Sequence, residues 1–125
     1  MARVLVIDDD PTIRSLVAEI LEANGHSLLQ AMDGRAGLAL FTKQSFDLVV
    51  TDIVMPEQEG IETIGAIRRI NRGVPILAIS GSATIGNAGD YLRAAAALGA
   101  SATLRKPFAP DDFIATVEKL LTTQA

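Results

Sequence analysis

A chain of 125 residues is one domain's worth of polypeptide, long enough to bury roughly two-thirds of its unfolded surface, and its lack of cysteine excludes disulfides and thiolate metal sites and suits a reducing, cytoplasmic setting. The net charge of -4, with Lys and Arg scattered rather than bunched, excludes the basic stripe that grips nucleic acid; no apolar run reaches the ~18 residues of a bilayer span, so no membrane insertion is expected. A hydrophobic share of 49% with only 4% aromatic residues calls for a core of Ile, Leu, Val and Ala, as when helices pack on a β-branched sheet.

Residues 3–7 read as a short apolar strand, Val4-Leu5-Val6-Ile7, broken abruptly by Asp8-Asp9-Asp10. Asp10 suits a helix N-cap and Pro11 the first helical position, and Ile13, Leu16, Val17, Ile20 and Leu21 share one helical face. Asn24-Gly25 stops that helix. A weaker strand follows at 27–31, and Asp33-Gly34 turns into a helix with Leu38 and Phe41 facing inward. The third strand is expected at 46–52, followed by a loop through Met55-Pro56 and a helix with Ile61, Ile64, Ile67 and Ile70, ended by Arg72-Gly73. Residues 74–79 form a fourth apolar strand in which Pro75 is tolerable near the start. Beyond it, residues 83–89 read as loop, 90–98 as an alanine-rich helix closed by Gly99, and 102–105 as a short fifth strand, followed by Lys106-Pro107-Phe108 and a last helix with Phe113, Val117, Leu120 and Leu121 on one face.

Strands alternating with helices five times imply an α/β domain, a five-stranded parallel sheet with right-handed crossovers and helices on both faces. Ligands bind such sheets outside the carboxyl ends of the strands. Asp8 and Asp9 follow the first strand, Asp52 ends the third, Ser80 follows the fourth and Lys106 the fifth. Three carboxylates, a hydroxyl and an amine should therefore meet in one crevice. Clustered carboxylates repel one another unless a cation sits among them, and a hard ion such as Mg2+ is commonly held by one or two carboxylates together with phosphate oxygens. An aspartate can then attack phosphorus while the lysine and the hydroxyl engage the remaining oxygens. Taken singly, each residue has a plainer role: Asp10 as a cap, Asp52 as a turn former, Ser80 and Lys106 as ordinary loop groups. Their joint placement at separate strand ends favours the site.

Val-Ile-Asp-Asp-Asp-Pro at 6–11, Asp-Ile-Val-Met-Pro at 52–56, Ser-Gly at 80–81, Gly-Ala at 99–100 and Lys-Pro-Phe at 106–108 closely resemble the receiver domain of two-component response regulators, over essentially the whole chain. The resemblance implies a flavodoxin-like (βα)5 doubly wound fold with strand order 2-1-3-4-5, of which a chemotaxis receiver is a known example. It makes Asp52 the phosphoacceptor, Asp9 a direct Mg2+ ligand, Asp8 a ligand through water, and Val54 a donor of its backbone carbonyl to the metal. Ser80 corresponds to the hydroxyl that swings toward the phosphoryl group and Lys106 to the amine that pairs with it; Lys106-Pro107 should be cis.

Three features depart from the family pattern. The position of the usual switch aromatic is Thr103, leaving Tyr91 on the fourth predicted helix as a candidate for a variant switch, though a partly exposed packing role suits its amphipathic ring better. The stretch from Ser80 to Lys106 is a few residues longer than in typical members, with the surplus in 82–89, a loop expected to shape partner choice. Ser101 and Ala102 replace acidic residues that many DNA-binding members use to dimerise, so a monomer or weak dimer is expected. His26 reads as a surface or capping residue, and Arg68, Arg69 and Arg72 as a solvated helix face.

The expected function is a phosphorylation-operated switch, receiving a phosphoryl group on Asp52 from a histidine kinase or histidine phosphotransfer protein with Mg2+ and acting by altered binding to a downstream protein. It is not a conventional enzyme, although it promotes its own aspartyl phosphorylation and dephosphorylation. With the last helix at 110 onward, a single receiver domain without an effector domain is expected. The alternative is a receiver-like interaction module that does not use phosphorylation. A phosphohydrolase is disfavoured because Ile53-Val54-Met55-Pro56 supplies no second acid or base, and a flavin site because the first strand leads into acids.

Overall fold

The computed structural model describes residues 2–53, 59–80, 96–97 and 99–122. Its strands are β1 (Arg3–Ile7), β2 (Ser27–Ala31), β3 (Leu48–Asp52), β4 (Ile76–Ser80) and β5 (Ala102–Arg105), and its helices α1 (Pro11–Ala23), α2 (Gly34–Lys43), α3 (Glu59–Ile70) and a C-terminal helix (Pro110–Thr122). The strands run parallel in the order β2-β1-β3-β4-β5, the expected doubly wound flavodoxin-like sheet. The helix predicted at 90–98 falls mostly outside the described residues, within which Ala96 and Ala97 are helical. Val54, Tyr91 and the 82–89 loop lie outside them too.

Strand side chains alternate between faces, and the core divides accordingly. Leu5, Ile7, Val49, Ile76 and Ala78 meet Phe41 of α2 and Ile64 and Ile67 of α3 on one face. Val4, Val6, Leu48, Val50, Leu77 and Ile79 meet Val17 and Leu21 of α1 and Phe113, Val117 and Leu120 of the C-terminal helix on the other. Continuous apolar runs in β1, β3 and β4 are thus the consequence of burial on both faces. Each fully buried Leu, Ile, Val or Phe contributes about 1.5–3 kcal/mol, and the central strands supply many of them.

Local chemistry sets the element ends. Asp10 caps α1, its carboxylate accepting from the Thr12 N–H at 2.8 Å, and Asp33 caps α2 by accepting from Ala36 N–H at 2.7 Å. Gly25, at φ 85°, takes the left-handed turn that ends α1. Two expected strands shift. The third begins at Leu48 rather than 46, because the Asp47 side chain turns back to accept the Arg3 N–H at 2.8 Å while Phe46 stacks on Phe41. The fourth begins at Ile76, after the donor-less Pro75, and runs through Ser80.

Ile70 of α3 is 52% exposed, because a strict three-residue repeat drifts off a 3.6-residue helical face. Two surface readings are corrected. His26 is buried: its Nδ1 accepts the Ala2 N–H at 3.1 Å and its Nε2 faces Glu118 Oε1 at 2.7 Å, tying the start of the sheet to the C-terminal helix. Arg68 is half-buried rather than solvated. Its guanidinium donates to the carbonyls of Gly99, Asn71 and Val74 and to Ser101 Oγ, which also accepts the Ile76 N–H at 3.0 Å. Arg69 and Arg72 are exposed, as expected.

Candidate functional site

Parallel registry makes the strand ends flush. Ile7 pairs with Thr51, Asp52 with Ile79 and Ser80 with Arg105, so the residues that follow β1 and β5 emerge beside the last residues of β3 and β4. Three bonds prolong the ladder: Asp8 N–H to Ala31 O at 3.1 Å, Ile53 N–H to Ile79 O at 2.9 Å and Lys106 N–H to Ser80 O at 2.7 Å. They fix the backbone from which Asp8, Asp52 and Lys106 project.

At this edge Lys106 Nζ donates to Asp52 Oδ2 at 3.0 Å and to Asp8 Oδ2 at 3.1 Å. Carboxylate oxygens of Asp8, Asp9 and Asp52 lie within 4.8 Å of one another, with Asp8 and Asp52 buried and Asp9 exposed. Asp10, the third acid of the run, is spent on the α1 cap, which explains why three consecutive aspartates deliver two to the cluster. Burial is the main influence raising the Asp8 carboxyl, to about 6; the Asp10 N–H opposes it at 2.9 Å, Asp52 adds repulsion, and Lys106 offsets part of that. Burial alone would lower the Lys106 ammonium, but its bonds and attraction to Asp52 and Asp8 outweigh that and hold it above its ordinary value.

Ser80, at the end of β4, is fully buried, and its Oγ has no hydrogen-bond partner among the described residues. A buried hydroxyl is costly to leave unpaired, and at the end of β4 this one stands on the same edge of the sheet as the acids. Gly60 brings the first turn of α3 onto the same edge: a Cβ there would stand 2.3 Å from the Asp52 carbonyl oxygen and 2.4 Å from Ile53 Cα, so no larger residue fits without moving backbone. Sequence reading passed over Gly60 because a glycine at a loop's end has a simpler explanation. Lys106-Pro107 is cis, in keeping with expectation. Thr103 is exposed on β5, paired in register with Ala78.

Hard oxygen donors of net negative charge, an ammonium and a buried hydroxyl are a donor set suited to a divalent cation and a phosphoryl group. Two concavities of about 590 and 580 Å³ lie elsewhere, one around His26, Phe46 and Glu118 and one between α2 and α3. The charged strand edge, rather than an enclosed cavity, is where the chemistry collects.

A 2-1-3-4-5 parallel sheet with such an acidic carboxyl edge defines a receiver-type signalling domain. The chain belongs to the response regulator receiver domain family, whose sequence model matches residues 4–118. It is similar to the response regulator MprA of Mycolicibacterium vanbaalenii, 34% identical over 119 residues that cover 95% of this chain and 50% of that protein. To the DNA-binding dual master transcriptional regulator RpaA of Synechocystis it is 35% identical over 123 residues, covering 97% of this chain and 49% of that protein. The chain thus spans about half the length of these relatives. Among solved structures, a response regulator receiver domain protein from Clostridium thermocellum superposes with a TM-score of 0.88 at 29% identity, covering 99% of this chain and 97% of that one. Among the described residues, no helix is long and apolar enough to cross a membrane.

Proposed function

We propose that the protein is a phospho-acceptor switch of a two-component or phosphorelay pathway, in which Asp52 receives a phosphoryl group from the phosphohistidine of a histidine kinase or histidine phosphotransfer protein in the cytoplasm. The observation that carries this reading is the single ammonium of Lys106 shared between Asp52 and Asp8 within a three-carboxylate cluster. An Asp52 carboxylate oxygen attacks phosphorus; the P–O bond forms as the P–N bond to the donor imidazole breaks, and the proton that the leaving imidazole needs comes from solvent.

Asp8, Asp9 and Asp52 fit a Mg2+ ion through their oxygen donors, with the Val54 carbonyl, outside the described residues, as the family's further ligand. Bound there, the ion offsets charge on the carboxylates and on the phosphoryl oxygens. Lys106, held above its ordinary pKa, stays cationic and follows the developing charge from the Asp52 oxygen to the phosphoryl oxygens. Ser80 donates its Oγ–H to another of those oxygens. Phosphorylation adds about -1.5 to -2 of charge, and the new bonds to Ser80 and Lys106 bias the surrounding loops and so the binding of a downstream protein. The receiver domain would act through that partner.

Incubation with a small phosphodonor and Mg2+ should add the mass of one phosphoryl group to the intact protein and none to Asp52→Asn. A wild-type protein that binds Mg2+ yet takes up no phosphoryl group would instead be a phosphorylation-independent interaction module.

A further inference from the structure

Arg14, in the first turns of α1, reaches back to the site: its Nη1 donates to the carbonyl oxygen of Asp8 at 2.6 Å. Its place in the fold invites an ion pair with the neighbouring acids, yet it pairs with no carboxylate among the described residues. What it grips is the peptide plane that joins Asp8 to Asp9.

Every other hydrogen-bonding group of Asp8 is already fixed. Its N–H is on Ala31 O, its Oδ1 on the Asp10 N–H and its Oδ2 on Lys106 Nζ. Asp9 is different: it is exposed, and no hydrogen bond holds its side chain among the described residues. A planar peptide transmits orientation, so fixing the Asp8 carbonyl fixes the Asp9 N–H and the direction in which the Asp9 chain leaves the backbone. A charge-assisted bond from a half-buried guanidinium is strong enough to do this and also places a positive charge behind the acids.

We propose that Arg14 is a positioning residue for Asp9: through the Asp8 carbonyl it holds the 8–9 peptide in the orientation that presents the Asp9 carboxylate to a divalent cation shared with Asp52. The inference rests on reading the carboxylate cluster as a Mg2+ and phosphoryl site. Arg14 does not touch the reacting atoms; it acts through the backbone.

The test is a Mg2+ titration followed by backbone amide NMR shifts of residues 8–10, on the full chain, with Arg14→Met and Arg14→Lys alongside the wild type, at low salt and at high salt. Arg14→Met should weaken Mg2+ binding about tenfold at both salt concentrations, and Arg14→Lys, which keeps a cationic donor on a shorter chain, should recover most of that loss. Equal Mg2+ affinity in wild type and Arg14→Met overturns the inference, whatever happens to thermal stability. A difference that vanishes at high salt also overturns it, because the arginine would then act only by its charge. A wild type that binds no Mg2+ overturns the underlying reading of the site instead.

Discussion

Asp8→Asn should stabilise the metal-free protein at pH 8, although it removes one partner of a buried ion pair. The Asp8 carboxyl is raised from 3.8 to about 6, so the fold holds its proton more tightly than the unfolded chain does. That contribution to stability is fully present below the unfolded pKa, declines as pH rises from about 4 to about 6, and is absent above that. Each pH unit between those values is worth ~1.4 kcal/mol, or roughly 3 kcal/mol in all before discounting. Solvent at the open edge of the sheet, and the loss of one of the two Lys106 bonds, reduce the net gain to about 1–2 kcal/mol. Asparagine keeps the oxygen that accepts the Asp10 N–H, so the acid loop retains its shape. Thermal unfolding by circular dichroism in EDTA should show Tm higher by about 3–6 °C in the variant. Added Mg2+ should raise the wild-type Tm and leave the variant nearly unmoved. A variant less stable than wild type in EDTA at pH 8 would refute the claim that charge repulsion and burial dominate at Asp8.

Lys106→Met, which leaves Asp8 and Asp52 facing each other without an ammonium, should cost about 1–3 kcal/mol in EDTA and slow phosphoryl uptake at least about tenfold, read by denaturant unfolding and by the rate of mass gain. Gly60→Ala drives a methyl group against the Asp52 carbonyl and should destabilise by about 1–3 kcal/mol; unchanged unfolding would mean that α3 does not press on the acceptor strand. Arg68→Ala removes a donor set satisfying three carbonyls and a hydroxyl, and should lower stability by about 2 kcal/mol in urea unfolding while leaving Mg2+ affinity intact.

Periodicity and turn chemistry made the alternation of strands and helices legible, because two-sided burial leaves continuous apolar runs and the starts of α1 and α2 carry the capping residues Asp10 and Asp33. Strand order was not legible from pattern and came from family resemblance; nothing in the local sequence of the β2 strand states that it pairs at the sheet's edge. The Asp8, Asp9, Asp52 and Lys106 grouping could be anticipated because parallel registry brings strand ends together whatever the loops do. The misread residues were polar ones whose partners are distant in sequence. His26 meets Glu118 and Arg68 meets Gly99 only after folding, and a histidine beside a helix end or an arginine in a basic run looks the same in the chain whether solvated or buried. Arg14 was overlooked for the same reason: its partner is a backbone carbonyl, which has no signature in sequence.

The most direct measurement is the covalent address of the phosphoryl group. Protein treated with a small phosphodonor and Mg2+ is reduced with borohydride, which converts an aspartyl phosphate to homoserine, and the peptides are then mapped by mass spectrometry. Conversion at position 52, with Asp8 and Asp9 unmodified, is the predicted result. Conversion at either of those residues, or none anywhere in a protein that binds Mg2+, would contradict Asp52 as the acceptor.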